Sequence, residues 1–223
     1  MYKRIELGKR KEKRLNELKQ QIDDLFDVNI EMIDLTKQFL ETSDNELALK
    51  VIDLESRTDQ MQQEIVVSVN SILITEQPKA SDLRFTLGAF VIAGELEIIG
   101  DYFKKFAKNM LKTELTERKH QKLVASLIES SKNDMSETKI AFDQLSHNLA
   151  SSIARRSEER EITIKKFTDD INELLVSART YDDVKALTRT LSMSKNFDRT
   201  FAHLVVICEQ ISYIVNGQVF HYN

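Results

Sequence analysis

Gln77-Pro78-Lys79-Ala80-Ser81-Asp82-Leu83-Arg84 is the stretch on which the fold turns. It holds the single proline of the chain and stands between two long apolar-patterned runs. Upstream, Leu47, Val51, Leu54, Met61, Ile65, Val69 and Ile72 recur at helical steps, which predicts a helix over about 45–75. Pro78 ends it, because a proline restricts the residue before it to an extended conformation. Ser81 is positioned to cap the next helix, over about 81–112. Asp82 falls in its first turn, at the positive end of the helix dipole.

The same grammar extends in both directions. Leu15, Leu18, Ile22, Leu25, Met32 and Ile33 predict a first helix over about 6–41. Ser43-Asp44-Asn45-Glu46 reads as a capping box for the second. Further helices are predicted over about 116–150 and 152–178, and from Thr180-Tyr181-Asp182-Asp183 to about Val215. Gly217 stands where a helix-ending glycine belongs. The expected fold is all-α, two tandem three-helix bundles of six long helices, divided as 1–114 and 115–223. Leu96-Glu97-Ile98-Ile99-Gly100-Asp101 and Phe197-Asp198-Arg199-Thr200-Phe201-Ala202 lie similarly deep in the third and sixth helices, which suggests an internal duplication.

Composition agrees. Five glycines and one proline in 223 residues are too few for the turns of an all-β fold. Cys208, the only cysteine, excludes an intrachain disulfide framework and lies in the apolar run from Leu204, as a buried structural thiol would. Residues 1–14 are mostly charged and do not resemble a signal peptide. The charge-free stretches Ile65–Thr75 and Phe85–Gly94 fall short of the roughly 20 residues a membrane span needs. A net charge of −4 speaks against bulk nucleic-acid binding. Lys3, Arg4, Lys9, Arg10, Lys11, Lys13 and Arg14 form a basic first stretch, expected to be a solvated helix face or a contact for an anionic surface.

Two acidic pairs stand out. Glu55 and Asp59, and Glu97 and Asp101, are each four residues apart, so each pair stacks on one helix face beside the apolar stripe. Converging carboxylates repel unless a cation or protons neutralise them. Hard, oxygen-seeking metal ions suit such a cluster, as do iron and manganese. A ferritin-like di-metal site needs Glu-x-x-His from two helices. Glu117-Arg118-Lys119-His120 is the only such motif, in a charged stretch that reads as surface. His147, His203 and His221 do not repeat it, and His203 reads as a core-edge or interface residue. The chain has no phosphate-binding loop, His-Glu-x-x-His motif or nucleophile elbow, so catalysis is not expected.

Gln77-Pro78 through Asp82-Leu83-Arg84, then Leu96-Glu97-Ile98-Ile99-Gly100-Asp101, preceded by Glu55-Ser56-Arg57-Thr58-Asp59, resembles the PhoU family of phosphate-uptake regulators. The resemblance implies iron, or zinc or manganese, in multinuclear sites held by the acidic motifs, with Glu55, Asp59, Glu97 and Asp101 as ligands. Pro78, Asp82 and Arg84 would be structural. In the second half Ala202 replaces the expected second carboxylate, which leaves Glu159 and Asp198 as a remnant site. The resemblance further implies a cytoplasmic homodimer, peripheral to the membrane at most. Its partners would be a phosphate ABC transporter and a sensor histidine kinase. The alternative is a metal-free helical scaffold that kept the fold and changed partners.

Overall fold

The computed structural model describes residues 2–112 and 118–221, without the side chains of 2–7, 118, 119, 157 and 158. Seven helices are present among the described residues: α1 Tyr2–Thr42, α2 Asn45–Glu76, α3 Ser81–Met110, α4 Arg118–Asp143, α5 His147–Arg155, α6 Ser157–Ser177 and α7 Tyr181–Asn216. No described helix is long and apolar enough to cross a membrane. The 114/115 junction expected between the two halves, and Glu117, lie outside the described residues.

Helix ends follow from local chemistry. Thr180 accepts the Asp183 amide and opens α7, and Gly217, at φ 69°, closes it by donating to the Tyr213 carbonyl. Three expected ends differ. Asp44, not Ser43, caps α2, its side chain accepting from the Glu46 amide, while Ser43 turns left-handed after α1. Gln77, before the proline, is left-handed at φ 45° and not extended; it terminates α2 as an αL residue. Ser81 is the first helical residue of α3 and does not cap it, because Ala80 takes the preceding position without a side-chain bond.

The helix expected over 116–150 breaks early. Leu145 adopts φ 46° and Ser146 accepts from the Leu149 amide, starting α5. A single turn residue, Arg156, then separates α5 from α6, so the two are one bent rod and the layout of six long segments holds.

In the first half α1, α2 and α3 all pack on one another; in the second α7 packs on α4, α5 and α6. Two seams join the halves. Along α1 and α4 run the ion pairs Lys19–Asp143 at 3.6 Å, Asp27–Lys139 at 2.5 Å, Asp34–Lys132 at 2.6 Å and Lys37–Glu129 at 2.7 Å. Numbers rise on one helix as they fall on the other, so the helices are antiparallel. Each exposed pair is worth only about 0–1 kcal/mol. Their joint effect is to set the register. The second seam, α3 against α7, is largely apolar. Phe106 meets Phe197 edge-on with centroids 5.1 Å apart, and Gly88 lies under Ile214.

The basic first stretch is not simply solvated. Arg10 and Arg14 pair with the nearly buried carboxylate of Glu76 at 3.2 and 3.6 Å, and Lys11 pairs with Asp82 at 2.5 Å. These residues tie α1 to both sides of the turn around Pro78, which is buried. Cys208 is fully buried and its thiol is pushed up to about 12 by that burial.

Two predictions concern the seams. A Cβ on Gly88 would lie 2.6 Å from Cδ1 and Cγ1 of Ile214, whereas one on Gly94 meets nothing within 4 Å. Gly88→Ala is therefore expected to lower stability by about 1–2 kcal/mol. Gly94→Ala is expected to raise it by about 0.5–1 kcal/mol, since only the helix-propensity gain remains. Urea unfolding of both variants checks the opposite signs.

At the end of the α1–α4 seam Asp23 is raised from 3.8 to about 7 by burial, then by its hydrogen bond to Asp143 and the charge there; Lys19 and Lys139 oppose the shift. Because the folded state holds this proton more tightly than the unfolded chain, the contribution is full below about pH 4. It fades as pH rises to about 7. Asp23→Asn, a permanently neutral mimic, is expected to be more stable than the wild type at pH 8 by about 1–2 kcal/mol. At pH 4 the difference should vanish.

Candidate metal centre

The four carboxylates singled out in the sequence sit on the seam between α2 and α3. Glu55 and Asp59 come from α2, and Glu97 and Asp101 from α3. The helices approach closely there because Gly100 has no side chain: a Cβ on it would lie 3.0 Å from Thr58 Oγ1 and 3.6 Å from Asn29 Oδ1. Thr58 is spoken for, donating to the Glu55 carbonyl at 2.8 Å. Asn29 donates through Nδ2 to the Leu25 carbonyl. The floor of the seam is thus a polar contact of α1, α2 and α3.

Glu97 feels the other three carboxylates. Burial raises its carboxyl above the ordinary range, and the charges of Asp101, Asp59 and Glu55 add to that in turn. Lys104 opposes them. The structure therefore brings all four acids into one electrostatic neighbourhood.

It also brings a cation that the sequence reading did not place there. Lys104 Nζ is 2.6 Å from Glu55 Oε1 and 3.9 Å from Asp101 Oδ1. Lys105 Nζ is 2.5 Å from the other oxygen of Asp101. Asp59, on the exposed edge, accepts from Gln63 of its own helix at 3.1 Å. The spacing Asp101-x-x-Lys104 held the clue to the first of these pairings, since residues three apart share a helix face. What it could not reveal was Glu55 arriving from the neighbouring helix.

A metal ion needs several donors turned onto one point about 2–2.5 Å away. Among the described residues no three His, Cys, Asp or Glu side chains are arranged to hold one. One oxygen of Glu55 and both oxygens of Asp101 face an ammonium group. As arranged, the cluster does not fit the implied iron, zinc or manganese, and no metal chemistry is derived from it.

The remnant second site is more dispersed. Glu159 on α6 and Asp198 on α7 are both exposed, as is Ala202, and the Thr163 hydroxyl is turned back to the Glu159 carbonyl. The charged interior of this half lies elsewhere. Asp134 of α4 is 3% exposed and is paired with Arg160 of α6 and, at 3.3 Å, with Arg156 at the bend. Burial raises the Asp134 carboxyl to about 6 even against both guanidinium groups.

The other sequence-predicted residues fall as follows. Asp82 faces Lys11 and not Arg84. Arg84 donates from Nε to the Ile214 carbonyl at 3.3 Å and lies against Gly217, so it closes the C-terminal end of α7. His203 is half-buried on the α3–α7 seam, with Nδ1 2.5 Å from Glu95 and its ring against Tyr102. His120 is not on the surface: it is 4% exposed and its ring packs on Phe167 of α6, because it falls on the inward face of the first turn of α4.

Residues 22–110 match the PhoU domain family. The chain is 28% identical over 206 residues to a "Phosphate-specific transport system accessory protein PhoU homolog" of Rhizobium meliloti, covering 91% of this chain and 86% of that protein. It is 26% identical to the "Phosphate-specific transport system accessory protein PhoU" of Escherichia coli, covering 82% and 76%. Its fold matches the crystal structure of the phosphate transport system regulatory protein PhoU from Streptococcus pneumoniae, with a TM-score of 0.86 and 22% identity over 95% of this chain and 99% of that one. PhoU from Pseudomonas aeruginosa gives a TM-score of 0.84 and 19% identity over 93% and 99%. By its domain match over residues 22–110, by relatives that span most of its length and by its helical architecture, the chain is similar to PhoU proteins.

Proposed function

We propose that this chain is a PhoU-type accessory regulator of phosphate uptake, working in the cytoplasm through contact with a phosphate ABC transporter and a sensor histidine kinase. On this reading it dampens transport and the phosphate-starvation response, and it works by binding and not by catalysis. One observation carries the proposal: likeness to proteins named as accessory to phosphate-specific transport extends over most of the chain and not over a single shared domain. A homodimer is part of the same reading.

The surface offers a place for such contact. Leu83, Leu87 and Phe90 form a row on α3 and are 36%, 41% and 46% exposed. Their spacing puts them on one helix face. The row begins in the first turn of α3, beside the Asp82–Lys11 pair, and exposed apolar side chains so grouped mark contact surfaces more often than scattered ones do.

The alternative, a metal-free helical scaffold with other partners, has the Lys104 pairing in its favour. The two readings part in a capture experiment. The immobilised ATPase subunit of a phosphate transporter is expected to retain the purified chain, and the ATPase of an unrelated ABC importer is not. Phe90→Glu should weaken that capture about tenfold, as loss of one central apolar anchor does. Equal retention by both ATPases, or by neither, would sink the transporter reading and favour the scaffold.

A further inference from the structure

The geometry points to Lys104 as the resident counter-ion of the α2–α3 acidic seam, standing where the metal implied by the fold family would stand, so that this half of the molecule closes without a metal ion.

Three observations carry it. First, the ammonium bridges two helices: 2.6 Å to Glu55 on α2 and 3.9 Å to Asp101 on α3. The side chains of Lys104 and Glu55 are 24% and 12% exposed, which limits screening by solvent. Second, two of the other three carboxylates are already engaged. Lys105 takes the second oxygen of Asp101, and Gln63 donates to Asp59. A divalent ion entering the seam would compete with Lys104 for the Glu55 oxygen and be repelled by its charge. Third, the other half solves the same problem in the same way. Its buried carboxylate, Asp134, is neutralised by Arg160 and Arg156, from α6 and from the bend before it. In both halves a buried acid is met by a basic side chain of the chain itself.

The charge balance sets the expected effects. Four carboxylates face two lysines in the first half, so negative charge remains in excess at the seam. Removing Lys104 worsens the excess. Neutralising Glu97, which pairs with neither lysine, relieves it. A metal site would respond to the loss of Glu97 in the opposite direction, because a ligand would be gone.

The test uses the whole chain, stripped with a chelator and then offered Mn²⁺, Zn²⁺ or, anaerobically, Fe²⁺. Bound metal is measured by elemental analysis and the melting temperature by calorimetry. Wild type is expected to hold no stoichiometric metal and to melt at the same temperature with and without it. Lys104→Ala is expected to melt about 2–4 °C lower in metal-free buffer. Should that variant fail to fold, Glu97→Gln decides: an unchanged or higher melting temperature upholds the proposal. Stoichiometric metal in the wild type that is lost in Glu97→Gln, with a lower melting temperature, overturns it. These readouts involve no partner, so the proposal stands or falls independently of the transporter reading.

Discussion

Burial of α3 from several sides is the constraint on which the rest depends. This one helix packs on α1, α2 and α7. It can do so only because its inward positions alternate large and small: Gly88, Ala89, Ala93, Gly100 and Ala107 are buried beside Ile92, Leu96, Ile99, Phe103 and Phe106. The small positions let neighbouring helices come close, and the large ones fill the volume between them. Acidic residues on so enclosed a helix cannot be left to solvent. Asp101 therefore draws in the lysines at 104 and 105 of the same helix, while Glu97 pairs with neither and has its carboxyl raised by burial.

Much of this was legible in the sequence. Long helices follow from apolar spacing and from the scarcity of Gly and Pro. Thr180 and Gly217 marked the ends of α7 because a hydroxyl before an acidic turn and a glycine after an apolar run have few other uses. The break at residues 144–146 was not legible, since Leu145 enters the left-handed region without the glycine that normally announces it. Nor was the bend at Arg156, where a residue of ordinary propensity interrupts a continuous pattern.

The candidate site shows the same division. That Glu55, Asp59, Glu97 and Asp101 share a neighbourhood could be read from spacing and from the family's motifs. That Lys104 reaches across to Glu55 could not, because a single helix's periodicity says nothing of which rotamer its neighbour accommodates. His120 was misread for a related reason. Charged flanks suggest a surface, yet a helix buries one stripe of its face, and His120 falls on that stripe against Phe167.

The two seams between the halves differ in kind. Along α1 and α4 a row of charge pairs that reach into solvent, which dissolved salt screens, lies over the buried contact of Phe26 with Phe142. Along α3 and α7 the halves are held mainly by interlocked apolar side chains, which salt does not loosen, with the Glu95–His203 pair beside them. Added salt would therefore loosen the α1–α4 side first, while α3 and α7 stay locked.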